Sequence, residues 1–180
     1  MKVVSLVGMP GAGKSEVARV FEQKGFTRIR FGDVTDQEIK KRGLELNEKN
    51  ERYIRETLRQ ELGMAAYAKL NLPAIDAALK NGEVVIDGLY SWEEYTFLKE
   101  HYGDAFRVVA VWTSAATRYT RLARRRERPL TQEEAAGRDK AEIENVNKGG
   151  PIAMADFTLL NECSLESLRR QTEEIITRLR

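Results

Sequence analysis

Apolar residues fall into two patterns that alternate along the chain. Nearly unbroken apolar runs occur at Val3-Val4-Ser5-Leu6-Val7, Val84-Val85-Ile86 and Phe106-Arg107-Val108-Val109-Ala110-Val111-Trp112. Runs this short, rich in β-branched residues, predict strands buried on both faces. Thr27-Arg28-Ile29-Arg30-Phe31 alternates like a further strand, and Asp156-Phe157-Thr158-Leu159-Leu160 reads as the last one. Between these runs the apolar residues are spaced three and four apart. That spacing predicts helices over 14–24, 34–42, 48–62, 64–80 and 92–102, and further ones opening at Ser114, Thr131 and Ser164. Gly25, Gly43 and Gly63 are stops. Asn47 and Asp33 are placed to cap, and Ser91 and Thr131 each begin a capping box. Pro73 predicts a break or fresh start after Asn71, and Gly149-Gly150-Pro151 an interruption. The terminal helix should bury Leu165, Leu168, Ile175, Ile176 and Leu179.

Strands that alternate with helices predict one α/β domain over 1–180, a parallel sheet with helices on both faces and right-handed crossovers. Ligands belong at the carboxyl ends of such strands. Two segments, 33–80 and 121–148, exceed a minimal strand–helix unit and should overhang that edge as a helical insertion and a lid.

The candidate chemistry starts at the first of those strand ends. Gly8-Met9-Pro10-Gly11-Ala12-Gly13-Lys14-Ser15 fits G-x-x-x-x-G-K-[ST] at every fixed position, between a strand and a helix. The alternative is a glycine-rich turn without a ligand, but both flanks are those a phosphate loop needs. Its glycines let backbone N–H groups converge on a phosphate chain, and the helix start adds partial positive charge. Gly8, Pro10, Gly11, Ala12, Gly13, Lys14 and Ser15 are therefore the expected ATP-binding residues. Lys14 would reach the β- and γ-phosphates, and the Ser15 hydroxyl would ligate Mg²⁺.

Asp87-Gly88 follows a buried strand, where an aspartate orients Mg²⁺ or merely forms a turn. Gly88 is grouped with it near substrate. Asp33, after the second strand, is an N-cap or a general base for the acceptor. Arg121, Arg124, Arg125, Arg126 and Arg128 crowd together, with Arg118 before and Arg138 after. Helical spacing puts Arg118, Arg121 and Arg125 on one face. They form a solvated surface or a lid whose arginines, Arg121 and Arg125 foremost, stabilise charge in transfer. Arg55 and Arg59, one turn apart, either clamp an acceptor phosphate or pair with Glu51, Glu56 or Glu61. Tyr90, Trp92, Tyr95 and Cys163 read as packing residues, and His101 has no assigned role.

Composition narrows the partners. The 180 residues are 42% hydrophobic and 32% charged, as suits a globular domain, and the net charge is +2. So small a balance argues against a nucleic-acid partner. One cysteine permits no internal disulfide, and the amino-terminal apolar run is too short for a signal peptide, so a cytoplasmic location is expected. No stretch is long enough to cross a membrane. The oligomeric state is left open.

Taken together, the loop, Gly32-Asp33, Asp87-Gly88 and the arginine-rich segment resemble the nucleoside monophosphate kinase superfamily over nearly the whole chain. The patterns Val7 to Ser15, Gly32-Asp33-Val34, Val85-Ile86-Asp87-Gly88, Ala155-Asp156 and Asn161-Glu162 are most similar to adenylate-kinase-related proteins best known from archaea. The resemblance implies a five-stranded parallel sheet of order 2-3-1-4-5, an acceptor-binding insertion and a lid. Adenylate kinases carry arginines where this chain has Asp36 and Ser91, so two acceptor-phosphate contacts are missing. Leu130-Thr131-Gln132-Glu133-Glu134-Ala135 and the stretch from Ala155 to Arg169 resemble dephospho-CoA kinases, whose catalytic aspartate would match Asp33. The expected function is ATP- and Mg²⁺-dependent phosphoryl transfer to a nucleotide-like small molecule. Phosphorylation of the dephospho-CoA 3′-hydroxyl and a regulatory NTPase module are the alternatives.

Overall fold

The computed structural model describes residues 1–126 and 128–180; Glu127, inside the expected lid, lies outside them. Five strands form one sheet: β1 (Val3–Val7), β2 (Thr27–Arg30), β3 (Val84–Asp87), β4 (Phe106–Trp112) and β5 (Phe157–Leu160). Their order is β2-β3-β1-β4-β5, and every pairing is parallel. The expected fold class and strand order are therefore present.

Successive side chains of the central strands feed opposite cores, as the period of a strand requires. Val3, Val7, Val84, Ile86, Val108 and Ala110 join one core with Phe31, Ile54, Tyr67, Ile75 and Leu98. That core is closed by α2 (Asp33–Lys41), α3 (Glu48–Leu62), α4 (Ala66–Leu79) and α5 (Trp92–Tyr102). Val4, Leu6, Val85, Val109 and Val111 join the other core, with α1 (Lys14–Gln23) and α9 (Leu165–Leu179). With both faces covered, β1 is fully buried, which explains why its sequence shows no polar alternation. Leu122, Leu130 and Ala135 form a small third cluster joining α6 (Ala115–Ala123) to α7 (Gln132–Glu144). Among the described residues, no helix is long and apolar enough to cross a membrane.

Most predicted boundaries recur. Asn47, Ser91, Ser114 and Ser164 each accept a backbone N–H at a helix start, and Thr131 with Glu134 makes a full capping box. The box at Ser91 is only half built, because the Glu94 carboxylate accepts from the Tyr90 N–H instead.

Several expectations fail for local reasons. α4 runs through Pro73 without a break. Pro73 and Lys69, whose carbonyl loses its partner, are both exposed, where an unpaired carbonyl is tolerated. Gly149-Gly150-Pro151 opens a short helix, α8 (Gly149–Ala153), rather than interrupting structure. Proline is tolerated there because first-turn N–H groups have no intrahelical acceptor. Gly32, not Asp33, is the N-cap of α2, and no side chain bonds there. Leu165 and Cys163 are exposed rather than packed.

Candidate active site

The loop from Gly8 to Ser15 joins β1 to α1, with its carbonyls tied outward. Thr113 Oγ1 and Asn161 Nδ2 donate to the Ala12 carbonyl at 3.1 and 2.8 Å. Arg118 Nη1 donates to the Pro10 carbonyl at 3.1 Å. Lys14 Nζ donates to the Gly8 and Met9 carbonyls at 2.7 and 3.3 Å. The N–H groups of Gly11, Gly13, Lys14 and Ser15 have no backbone acceptor among the described residues. Carbonyls out and amides free is the arrangement that receives an anion. Two glycines are obligatory. Gly8 and Gly13 sit at φ 152° and 105°, and a Cβ would strike the Val111 carbonyl at Gly8 and the Asn161 amide at Gly13.

Burial and the neighbouring charge of Lys148 lower the Lys14 pKa to about 7, although Glu142 and Asp87 oppose this. Asp87 is buried at the end of β3, where Arg28 Nη2 donates to its Oδ2. Its Oδ1 and the Ser15 hydroxyl take part in no hydrogen bond among the described residues. Gly88 follows at φ 114°, with the Tyr90 hydroxyl packed against it. Trp92 and Tyr95 pack on each other with ring centroids 5.1 Å apart, as packing residues should.

The arginines separate into different roles. Arg118 is buried and makes a two-pronged pair with Asp139 on α7, at 2.9 and 2.6 Å, while its Nε donates to the Thr113 carbonyl. It fastens α7 and the phosphate loop to α6. Arg121 donates to the Asn161 carbonyl at 3.0 Å, beside the loop. α6 ends at Ala123, so Arg125 does not share a helix face with Arg118 and Arg121 as the spacing predicted. Arg125 instead lies near Arg138, Arg128 and Glu51; burial and the two cations lower its pKa.

Across the cleft, Arg55 pairs with Glu48 at 2.7 Å and Glu51 at 3.3 Å, one of the pairings foreseen. Arg59 makes no ion pair within 4 Å among the described residues, although its charge acts on Glu94. Its guanidinium lies over the Tyr67 ring at 5.3 Å, and its buried Nε has no partner. Asp33 is half exposed at the first turn of α2, held by Arg30 at 2.8 Å. Arg30 also bonds Asp36 at 3.1 Å.

Sequence reasoning missed a second layer. Glu142 on α7 accepts from Lys148, and Arg138 bridges Glu142 and Glu48 at 3.4 and 3.1 Å. Burial works against the charged carboxylate of Glu142, but Lys148 and Arg138 hold its pKa at about 2. Burial likewise opposes the Arg138 charge, yet Glu142 and Glu48 raise its pKa. Glu94 is fully buried with Oε1 unpartnered; burial lifts its pKa to about 7, against the pull of Arg59. Thr35 of α2 and Tyr67 of α4 share a 2.6 Å hydrogen bond nearby. Asn161 carried a trace in its motif, but nothing local marks Asp139, Glu142 or Lys148.

The profile of a family described as an AAA domain matches residues 4–145. A UPF0200 protein of Thermococcus kodakarensis is 40% identical over 185 residues, covering 98% of this chain and all of that one. Another, of Thermococcus onnurineus, is 38% identical over 181 residues, covering 98% and 97%. Among solved structures, a gluconokinase from Sinorhizobium meliloti 1021 has a TM-score of 0.63 at 16% identity, over 99% of this chain and 93% of its own. A shikimate kinase from Bacteroides thetaiotaomicron has a TM-score of 0.63 at 15% identity, over 98% of each. A dephospho-CoA kinase from Campylobacter jejuni has a TM-score of 0.56 at 13% identity, over 99% and 97%. The structural neighbours share the fold. By identity and coverage, the chain belongs to the UPF0200 proteins, and an AAA-domain profile spans most of it.

Proposed function

We propose that this protein is a kinase that passes the γ-phosphoryl group of ATP to a nucleotide-like small molecule, with Mg²⁺ as its metal. The observation that carries the reading is the phosphate loop itself: four unpartnered amides beside the Lys14 ammonium. The amides of Gly11, Gly13, Lys14 and Ser15 bind the phosphates, and Lys14 leaves the Gly8 and Met9 carbonyls to meet them. Ser15 and Asp87 are the hard oxygen donors suited to Mg²⁺, which takes one or two protein ligands plus phosphate oxygens. When bound, that ion neutralises phosphate charge. No cluster of three or more acidic, histidine or cysteine ligands exists among the described residues, in keeping with so sparse a protein donor set.

In the transfer the acceptor oxygen bonds to the γ-phosphorus while the bond to the β–γ bridging oxygen breaks, and ADP leaves. Catalysis is mostly placement and charge neutralisation. α7 and the segment before it serve as the lid that excludes water from the transfer, with Arg125 and Arg138 over the site and Arg121 beside the loop. Asp33, Arg55, Arg59 and Gly88 line the acceptor side.

Two features favour a hydroxyl acceptor, as in dephospho-CoA kinase, over a phosphate acceptor. Arg55 is already committed to Glu48 and Glu51. Asp33 is accessible and oriented by Arg30, as a base that takes a hydroxyl proton must be. Nucleic acid and membrane have no place in this reading. The test is a coupled ADP-release assay with ATP and Mg²⁺ against nucleoside monophosphates, dephospho-CoA, gluconate and shikimate. Acceptor-dependent ADP release supports the kinase. Hydrolysis indifferent to every acceptor but stimulated by a protein partner would favour a regulatory NTPase instead.

A further inference from the structure

Lys148 is the feature that the phosphate-loop reading does not use. It is 1% exposed, and a buried ammonium is costly unless it is paired or has a task. Its Nζ donates to Glu142 and sits 5.3 Å from the Tyr90 ring centroid. It is the strongest charged neighbour of both Lys14 and Glu142, and its charge also reaches Glu94 on the acceptor side. Lys148 therefore stands between Glu142 of α7 and Tyr90, whose hydroxyl packs on Gly88 after β3 and whose ring meets Tyr67 of α4 at 5.4 Å.

The backbone is built to hold it there. Asn147 adopts a left-handed φ of 52°, a conformation asparagine tolerates better than most residues. Lys148 N–H donates to the Glu142 carbonyl at 3.2 Å, closing the turn, and Trp92 N–H donates to the Val146 carbonyl at 3.2 Å. Gly150 lies directly under the Trp92 ring, where a Cβ would clash, so the turn is pinned to α5. Two carboxylates, Glu142 and Glu48, face three cations, Lys148, Arg138 and Lys14. Asp87 is drawn off by Arg28. A cluster with one cation in excess suits a polyanion.

We infer that Lys148 is a second phosphoryl-binding lysine, which contacts the γ-phosphoryl group during its passage from ATP to the acceptor. The inference rests on the kinase reading. As the bond to the bridging oxygen breaks, its electron pair stays with ADP. Lys148 keeps its proton and donates a hydrogen bond to an equatorial oxygen of the moving group. Lys14 holds the donor side and Lys148 the middle of the path.

The test compares binding of ADP and of the imido analogue of ATP, both with Mg²⁺, by isothermal titration calorimetry on the full chain. Lys148→Met should weaken the triphosphate analogue about 10- to 100-fold, the loss of one charge-assisted hydrogen bond, and ADP by less than about threefold. Lys148→Arg should restore most of the difference. Because Lys148→Met leaves Glu142 with Arg138 as its remaining ion-pair partner, Lys148→Met/Glu142→Gln removes the Lys148–Glu142 pair together and should show the same selective loss. If that double variant discriminates the two nucleotides as wild type does, Lys148 is only a partner for Glu142 and the inference falls. Equal weakening of ADP and the analogue would also overturn it. Wild-type protein that binds neither nucleotide would overturn the kinase reading along with it, a result distinct from either.

Discussion

The two sides of the cleft recognise charge by different means. The phosphate loop works through backbone: amides freed by glycine geometry, with carbonyls tied back by Thr113, Asn161 and Arg118. The opposite side works through side chains gathered from α2, α3, α7 and the turn at Lys148, in pairs such as Glu48–Arg138, Glu51–Arg128 and Glu142–Lys148. A backbone site needs one contiguous motif. A side-chain site needs four segments brought together, and each of its charges must be matched or left surplus for a ligand. In the proposed kinase, the first kind binds phosphate whatever the acceptor, and the second decides which acceptor fits.

The comparison can be broken at its most buried joint. Asp139→Ala leaves the Arg118 guanidinium buried and unpaired, so unfolding stability should fall by about 3–5 kcal/mol. Thermal denaturation reads this directly, and a loss under about 1 kcal/mol would mean that Arg118 does not need its partner. Lys14→Met should cut turnover by about 10²–10³-fold, the scale of losing one charge-stabilising donor, with an unchanged melting temperature. Activity near wild type in that variant would remove Lys14 from the chemistry.

Glu94 sharpens the side-chain half through pH. Its folded pKa of about 7 lies above the ordinary 4.5, so the folded state holds a proton the unfolded chain releases. Stability from this group is present below pH 4.5 and lost as pH rises toward 7. Glu94→Gln keeps an acceptor for the Tyr90 N–H and should raise stability at pH 8 by on the order of 2 kcal/mol, with little effect at pH 4.5. Equal effects at both pH values would mean that Glu94 is not protonated in the fold.

Lys14 has the opposite sign. Its folded pKa of about 7 lies below 10.5, and phosphate favours its charged form. Nucleotide binding at pH 8.5 should therefore take up close to one proton, measured by calorimetry in buffers of different ionisation enthalpy, and Lys14→Met should abolish the uptake. The smallest effect belongs to the rim. Glu56→Gln breaks the exposed pair with Arg52 and should cost less than about 1 kcal/mol in thermal denaturation.

How much was legible follows from the same contrast. Gly8 to Ser15, the caps at Asn47, Ser114 and Thr131, and the strand runs declare themselves within a few residues, because turn geometry and burial period are local. Failures came where a neighbour distant in sequence decided the outcome. Arg118 read as a lid arginine, yet Asp139, Pro10 and Thr113 claim it. Asp33 read as a cap or a base; the cap position falls to Gly32, and a near neighbour, Arg30, holds the Asp33 carboxylate, so this one failure is local. Lys148 carried no signal at all, since its meaning depends on Glu142 beside it and Lys14 across the cleft.

The strand order came through the resemblance; by itself, then, the sequence determined the alternation of strands and helices, the parallel character of the sheet and the glycine-rich loop geometry. These are written in backbone conformation and in the period of burial, which neighbouring residues settle among themselves. Tertiary structure alone decided which arginines are consumed in pairs, which carboxylates are buried and where positive charge is left unspent. Coulomb energy and desolvation depend on distance through space, and folding sets those distances between residues far apart in the chain.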